Sequence, residues 1–353
     1  MKVIRRISAV LVGFVLFLSG ILKLMDPVGA RLVVEDYLQF LHLGFLSGLA
    51  GLAGTGLALL ETLLGTALIT GVWRKLTAIA TGILLGFFTI LTLILYIGNP
   101  PMDCGCFGEI VHLTHLQSLI KNIVLLLLWA LAALPLNKQE PTRKVKYVSF
   151  SIVAISVCLF MLYSSLSIPL IDFTPFKPGA EMMLPEEIED PTDDHTPTLS
   201  VSDATGEYID SLMVSGKIIA ASVYEPEKLR ERDWERIGRV MRESASLGYN
   251  PVVLAAATPA MMESLTDIPE VLSATYFADR KKLLTLNRSN GGASYVDDGL
   301  IVAKWSRRRL PDHDKLAELA EVDVAESLLS ENNGSRLRFQ AFMLYVFAVM
   351  LLL

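Results

Sequence analysis

The chain has 353 residues, of which 52% are hydrophobic and 19% are charged, and its formal net charge is −6. This balance is too apolar for a wholly soluble protein of this length. Because no basic stripe runs along the sequence, nucleic-acid binding is excluded as well. Charged residues are sparse between residues 7 and 168 and frequent between residues 172 and 338. We therefore expect a lipid-embedded first half and a largely soluble second half.

Six apolar stretches approach the roughly 20 residues that a helix needs to cross a lipid bilayer. They are residues 7–25, 47–72, 76–97, 116–136, 148–170 and 339–353. The first follows basic residues and lacks a signal-peptidase cleavage site, so we interpret it as an uncleaved signal anchor. The predicted organisation is a four-span membrane domain at residues 1–136, a fifth span at 147–170 and a sixth at 338–353.

Basic residues predict the orientation of the spans, because they collect on the cytoplasmic side of a membrane. If the spans alternate, three basic groups fall on one side, namely Lys2, Arg5 and Arg6, then Arg74 and Lys75, then Lys138, Arg143, Lys144 and Lys146. This pattern predicts a multi-pass protein of the bacterial inner membrane. The loop after the third span and the soluble domain are then extracytoplasmic. The amphipathic stretch at residues 27–44 is expected to lie as a helix on the outer surface.

The loop after the third span carries two cysteines, in the string Asp103-Cys104-Gly105-Cys106-Phe107-Gly108. Two thiols at positions i and i+2 can close a small strained disulfide, and strained disulfides are typically labile or catalytic. A second interpretation is a metal site of Cys104, Cys106, His112 and His115, whose ligand types suit zinc or copper. A third interpretation is a purely structural turn.

Glu61 lies near the middle of the second span, where an acidic side chain is costly and needs a partner inside the bundle. Lys23 and Lys121, near the outer ends of spans one and four, are its predicted partners, unless Glu61 is protonated. The Glu61 side chain is then either a proton relay beneath the cysteine loop or a polar contact that holds helices together. Cys158, in the middle of the fifth span, is interpreted as a buried apolar side chain.

Three motifs of the first half resemble the MauE branch of the DoxX family. They are the Asp-Cys-Gly-Cys-Phe-Gly string, the stretch at residues 19–27 that contains Lys23 and Asp26, and Glu61-Thr62-Leu63-Leu64-Gly65. The resemblance covers residues 1–135 and implies a four-helix membrane domain. MauE-like proteins are associated with maturing a disulfide-containing periplasmic enzyme. The resemblance therefore implies a thiol-redox or assembly role, without implying methylamine as a substrate.

The second half is predicted to begin with an extended, acidic and proline-rich linker at residues 171–197. Apolar runs then alternate with helical spacing, and Asp297-Asp298-Gly299 indicates a hairpin. This order at residues 198–325 resembles an α/β thioredoxin-like domain, as in Bacteroidota-type DoxX proteins with such an extension. However, Tyr224-Glu225-Pro226-Glu227 stands where Cys-x-x-Cys is usual, and Gly291 stands where a cis-proline is usual. We therefore expect a docking module without dithiol chemistry.

The function predicted from these features is a thiol-redox or maturation factor that acts on a periplasmic client protein. The predicted redox pair is Cys104 and Cys106, with supporting residues Asp103, Gly105, Phe107, Gly108, Lys23, Asp26 and Lys121. The alternatives are a non-catalytic scaffold or small-molecule carrier, or a Cys/His metal-binding membrane protein. No cofactor is evident, although a quinone or a metal stays open, and the sequence predicts no oligomeric state. Hydrolase and kinase motifs do not occur.

Overall fold

The computed structural model describes residues 2–100, 102, 104–109, 113–134, 142–187 and 196–352. Asp103, His112 and Lys138 of the sequence predictions lie outside these residues. The chain divides into two compact units. The first comprises Met1–Ser165 and Phe339–Leu353, and the second comprises Leu166–Arg338.

The first unit is a helical bundle. Its helices are α1 (Lys2–Met25), α2 (Pro27–Phe40), α3 (Ala50–Thr70), α4 (Arg74–Gly98), α5 (His115–Ala133) and α6 (Lys144–Leu166), with a short strand β1 (Cys106–Glu109) before α5. Five helical segments of the described residues are long and apolar enough to cross a membrane: Lys2–Met25, Gly44–Thr70, Arg74–Gly98, His115–Ala133 and Lys144–Leu166. These segments correspond to the first five predicted spans.

Two arginines of α1 cap the ends of other helices. Arg5 donates to the carbonyls of Ala132 at 3.2 Å and Ala133 at 3.3 Å, at the end of α5. Arg6 donates to the carbonyl of Leu68 at 3.1 Å and to that of Ile69, at the end of α3. The last carbonyls of a helix lack partners within it and carry partial negative charge. The start of α1 therefore lies beside the ends of α3 and α5, so α1 is antiparallel to both.

The last helix, α12 (Val324–Leu352), begins well before the predicted sixth span. Its second half packs in the first unit, where the Phe342 ring stacks on Phe160 with centroids 4.6 Å apart. Ser149 of α6 also donates to the carbonyl of Val349 at 2.8 Å. Because α12 is not among the five segments named above, a sixth crossing stays a prediction.

The second unit is built on a mixed six-stranded sheet, ordered β2-β5-β4-β3-β6-β7. The strands are β2 (Val201–Ser202), β3 (Lys217–Val223), β4 (Asn250–Ala255), β5 (Thr275–Ala278), β6 (Gly292–Asp297) and β7 (Leu300–Trp305). Strands β3, β4 and β5 run parallel, and β2, β6 and β7 pair antiparallel with their neighbours. The helices are α7 (Glu231–Ser246), α8 (Pro259–Leu265), α9 (Pro269–Leu272), α10 (Arg280–Leu286) and α11 (His313–Glu321).

The apolar pattern explains this sheet. Strand β3 is buried from Ile218 to Val223, as expected for a central strand that is covered on both faces. Helix α7 packs its apolar side chains, Trp234 and Ile237 among them, on the core beside β3 and β4. The predicted hairpin is confirmed. Asp298 at φ +45° and Gly299 at φ +83° form the turn, because a two-residue turn of this kind needs positive φ at both positions.

The first part of the predicted linker is packed against the sheet and is not a free extended chain. Gly179 donates to the carbonyl of Ile301 at 2.7 Å, and Ile301 donates to that of Ala180 at 2.9 Å. Phe176 and Met182 are buried. The prediction gave weight to the prolines and acidic residues, whereas these two apolar side chains fix the segment along the edge of β7. Residues 188–195 of the predicted linker lie outside the described residues.

Asp172, in the same segment, forms a buried ion pair with Lys304 of β7, with Oδ2 and Nζ 2.6 Å apart. Burial raises the pKa of this carboxyl. The positive charge of Lys304 and hydrogen bonds from Lys304 and Thr174 lower it by more, so the pKa lies below its ordinary value. Such a group contributes stability above its unfolded-state pKa, and this contribution is lost as the pH falls through the folded-state pKa.

We therefore expect the hydrogen-exchange protection of β7 amides to decrease in the acidic range in which Asp172 takes up a proton. Asp172→Asn should lower the local stability by about 1–2 kcal/mol at neutral pH and flatten this pH dependence. Hydrogen exchange of the full chain, followed by mass spectrometry and corrected for the intrinsic rates, measures both effects. Asp314→Asn, which changes a fully exposed carboxyl, is the control. The assignment is wrong if the two variants share one pH profile.

Candidate functional site

Close packing of α1 on α3 brings the polar residues of the site together. A Cβ atom on Gly20 would lie 2.3 Å from Thr62 Oγ1 and 2.5 Å from the carbonyl oxygen of Ala58. A Cβ atom on Gly65 would lie 2.4 Å from the backbone nitrogen of Phe17. Only glycine permits two helix backbones to approach this closely. The approach places the side chains next to Gly20 directly against the middle of α3.

Glu61 of α3 is fully buried and lies at the centre of this site. Its Oε1 is 2.7 Å from Nζ of Lys23, and its Oε2 is 2.6 Å from Oγ of Ser19. The structure therefore places Lys23, rather than Lys121, at the carboxylate of Glu61. Ser19 and Lys23 are four residues apart on α1 and share one face of the helix. The buried acidic group therefore has a cation at one oxygen and a hydroxyl group at the other, as a polar side chain inside a bundle requires.

The Cys loop, which we define as residues 104–108, is held by the carbonyl groups of its two cysteines. The carbonyl of Cys104 accepts from the hydroxyl of Tyr37 at 2.5 Å, and that of Cys106 accepts from Ser19 at 2.6 Å. Gly105 has φ +56°, and a Cβ atom there would lie 2.4 Å from Val33 Cγ1 of α2. Both the backbone angle and the close contact therefore require glycine between the cysteines.

The two loop thiols differ in their surroundings. The structure holds the cysteines as thiols, with Cys104 only 3% exposed and Cys106 half-buried. Sγ of Cys106 lies 3.7 Å from Oγ of Ser118, in the first turn of α5. Cys106 is therefore the more accessible of the two cysteines.

The predicted capping box starts α5. The backbone of Gln117 donates to Thr114 Oγ1 at 3.2 Å, and the side chain of Gln117 accepts from the Thr114 backbone at 3.0 Å.

The structure gives the other predicted supporting residues different roles. The Nζ atom of Lys121 lies 4.9 Å from the centre of the Phe107 ring, as in a cation–π contact. Gly108 has φ +65° and ends the turn. Asp26 serves as the N-cap of α2, where its carboxylate accepts from the Gly29 backbone at 2.9 Å. Asp26 is thus a helix cap, and Lys121 contacts the loop instead of the buried acid.

No group of three or more histidine, cysteine, aspartate or glutamate side chains is placed to hold a metal ion in the part of the chain that the structure describes. The predicted metal site includes His112, which lies outside that part, so this prediction stays untested. His115 is the first residue of α5, and its buried Nε2 atom has no hydrogen-bond partner among the described residues. Cys158 of α6 is half-buried, although the sequence analysis interpreted it as a buried side chain.

Residues 1–135 match the family model of the methylamine utilisation protein MauE. A curated relative, Protein TlpB of Flavobacterium psychrophilum, is 28% identical over 156 residues, which are 43% of this chain and 42% of that protein. The match thus spans less than half the length of the relative. No solved structure matches the chain. With its MauE-like domain and the five long apolar helices of the described residues, the chain is a multi-pass membrane protein.

Three residues of the site in the MauE-like domain were not predicted as such from the sequence: Ser19, Tyr37 and Ser118. Ser19 could have been found, because it precedes Lys23 by one helical turn and so faces the same neighbour. Tyr37 and Ser118 have no comparable signal. Their roles arise only when α2 and α5 fold against the Cys loop.

In the second unit, Glu225 lies in the stretch 224–227, which the sequence analysis set against the Cys-x-x-Cys of thioredoxin-like domains. The carboxylate lies 2.8 Å from Arg280 and 3.0 Å from Lys228. The side chain of Asn290 accepts from the Tyr224 and Glu225 backbones and donates to the carbonyl of Glu225. This end of β3 is therefore a cluster of ion pairs and hydrogen bonds without a thiol.

Proposed function

We propose that this protein is a thiol–disulfide exchange or maturation factor of the bacterial cell envelope, and that its Cys loop carries the chemistry. The observation that carries the proposal is the loop itself, in which two thiols separated by one glycine are fixed by their own carbonyl groups. Fixed thiols beside a buried charge network are costly to build, so a purely structural turn has little need of them. The MauE-like match over residues 1–135 supports the same class of function.

The half-buried sulfur is the one that meets the client. The thiolate of Cys106 attacks a disulfide of the client, forms a mixed disulfide and releases one client thiolate. Cys104 then attacks the Cys106 sulfur, which forms the Cys104–Cys106 disulfide and releases the second client thiolate. The client gains two electrons and the loop loses two. The reverse sequence oxidises a client dithiol and returns the loop to two thiols.

The second unit holds the client in this proposal. Its sheet, with parallel β3 and β4 and antiparallel β6 and β7, supports a thioredoxin-like scaffold whose reactive position is occupied by Glu225. The basic groups at the start of α1, at the start of α4 and around the start of α6 support an orientation with the Cys loop and this unit outside the cytoplasm. An extracytoplasmic location would give the loop an oxidising environment.

Redox trapping in intact cells tests the proposal. In the Cys104→Ser variant the second attack cannot occur, so we expect a mixed disulfide between Cys106 and a client to accumulate several-fold over wild type. In the Cys106→Ser variant this adduct should be absent, because Cys104 is buried. Acid quenching, alkylation and mass spectrometry of the cross-linked species measure the adducts.

Cys158→Ser is the matched control, since it removes a thiol of α6 and should leave the trapped species unchanged. Two loop cysteines that are always reduced, with no adduct in any variant, would rule out an exchange function. If the Cys104→Ser/Cys106→Ser double variant stays fully functional while Glu61 variants do not, the alternative of a non-catalytic scaffold or carrier is favoured.

A further inference from the structure

Ser19 connects the carboxylate of Glu61 to the backbone of the Cys loop. Its Oγ atom lies 2.6 Å from Oε2 of Glu61 and 2.6 Å from the carbonyl oxygen of Cys106. A serine hydroxyl has one hydrogen to donate, whereas an ionised carboxylate and a carbonyl can only accept. A single hydrogen could serve both contacts only as a shared, weaker bond, so two full hydrogen bonds at once need a second hydrogen.

A proton on Glu61 supplies this second hydrogen. The protonated carboxyl donates from Oε2 to Ser19, Ser19 donates to the carbonyl of Cys106, and Oε1 still accepts from Lys23 at 2.7 Å. When Glu61 is ionised, the hydroxyl hydrogen of Ser19 goes to the carboxylate, because hydrogen bonds to a charged acceptor are roughly twice as strong. The carbonyl oxygen of Cys106 then faces Oγ of Ser19 with no hydrogen between the two oxygen atoms.

We propose that Ser19 is a positioning residue that couples the protonation of Glu61 to the docking of the Cys loop. A protonated Glu61 keeps the backbone of Cys106 docked, and an ionised Glu61 releases it. This inference rests on the proposed function and deepens it, because docking controls how far the loop sulfurs can be reached by a client disulfide. It also gives Glu61 a specific role, in which the carboxyl acts on the loop through one hydroxyl group.

The other charged groups around Glu61 are engaged elsewhere or are constant partners. Lys23 stays on Oε1 in both states, and Lys121 of α5 lies over the Phe107 ring. On α2, Arg31 and Glu35 pair with each other at 2.7 Å. The remaining charged or titratable side chains on elements packed against α3 are Lys2, Arg5, Arg6, Asp36, Tyr37, Arg74, Lys75 and Tyr96, and Asp26 and the two loop thiols adjoin these elements. Arg6 caps the far end of α3, so it is remote from the loop.

The test measures how fast each loop cysteine reacts with N-ethylmaleimide over a pH series, in the full chain reconstituted into phospholipid nanodiscs. Cys158→Ala is present throughout, so that the loop thiols are the only thiols. A free Cys-Gly-Cys peptide corrects for the ionisation of the thiols themselves. Ser8→Ala, which removes another buried serine of α1, is the matched control.

After this correction, we expect the labelling of wild type and of Ser8→Ala to increase as the pH rises. Ser19→Ala should label about tenfold faster than Ser8→Ala at acidic pH, because the docking hydrogen bond is absent, and its profile should be flat. The labelling rate of Glu61→Gln should also be independent of pH, but it should be low, because the glutamine amide donates to Ser19 at every pH. Ser19→Thr keeps the hydroxyl and should restore the wild-type profile.

The coupling is wrong if Ser19→Ala and Ser8→Ala share one pH profile, or if Glu61→Gln labels as fast as Ser19→Ala. Either result would leave the proposed function of the Cys loop intact. That function fails separately, when the trapping experiment in cells finds no loop disulfide and no client adduct.

Discussion

Replacing Lys23 by methionine is expected to lower the free energy of unfolding of the bundle by about 3–5 kcal/mol at neutral pH. The substitution leaves the carboxylate of Glu61 fully buried without its cation. Urea titration in detergent micelles, followed by tryptophan fluorescence, measures the change. Trp129 is a suitable reporter, since its indole donates to the carbonyl of Ala78 at 2.7 Å inside the bundle.

The reciprocal variant and the double variant complete this experiment. Glu61→Met should cost less than Lys23→Met, because the Lys23 side chain is 12% exposed and can turn its charged end toward the surface. The double variant should recover most of the lost stability, since a buried ion pair can often be replaced by apolar side chains at little cost. A Lys23→Met variant as stable as wild type at neutral pH would show that the pair has no structural role.

Replacing Gly65 by alanine is expected to destabilise the bundle by about 3 kcal/mol. The new methyl group would lie 2.4 Å from the backbone nitrogen of Phe17 and 2.6 Å from the carbonyl oxygen of Gly13. Backbone atoms cannot rotate away, so α1 must move off α3. That movement would also separate Ser19 and Lys23 from Glu61, so the labelling rate of the loop thiols should rise together with the loss of stability.

Gly56→Ala on the same helix is the control for this prediction. Nothing lies within 4 Å of a Cβ atom at Gly56, so the new methyl group is accommodated freely. Alanine has a higher helix propensity than glycine, and the control should therefore gain about 0.5–1 kcal/mol. Two alanine variants of α3 are thus expected to change stability in opposite directions. Equal effects would mean that the α1–α3 contact is looser than the structure describes.

The sequence predicted the membrane helices well, because length and hydropathy determine which segments can cross a bilayer. It also predicted the hairpin at Asp298 and Gly299, where the turn residues meet a strict backbone requirement. It did not predict that the segment around Phe176 packs on β7. Composition there points to an extended chain, and the packing depends on an edge strand that forms much later in the sequence.

The candidate site was predicted in its components but not in its connections. An acidic residue in an apolar span and a pair of close cysteines are visible in any linear pattern. The choice of Lys23 over Lys121 depends on how α1 rotates against α3, which the glycine contacts determine. Ser19 and Tyr37 contribute through contacts with carbonyl groups, and every residue carries a carbonyl. Such contacts cannot be predicted from the residue types of the loop that they hold.

Arg5 and Arg6 give the start of the chain a second task, beyond orienting the first span. The carbonyls that they cap follow them by 62 and 63 residues in α3, and by 127 and 128 residues in α5. The first span therefore enters the membrane with two donors whose acceptors have not yet been synthesised, and these donors lock the bundle only after α5 is complete. Exchanging both arginines for lysine would separate the two tasks. The positive charge that directs insertion would be kept, but the planar fork that reaches two carbonyls at once would be lost.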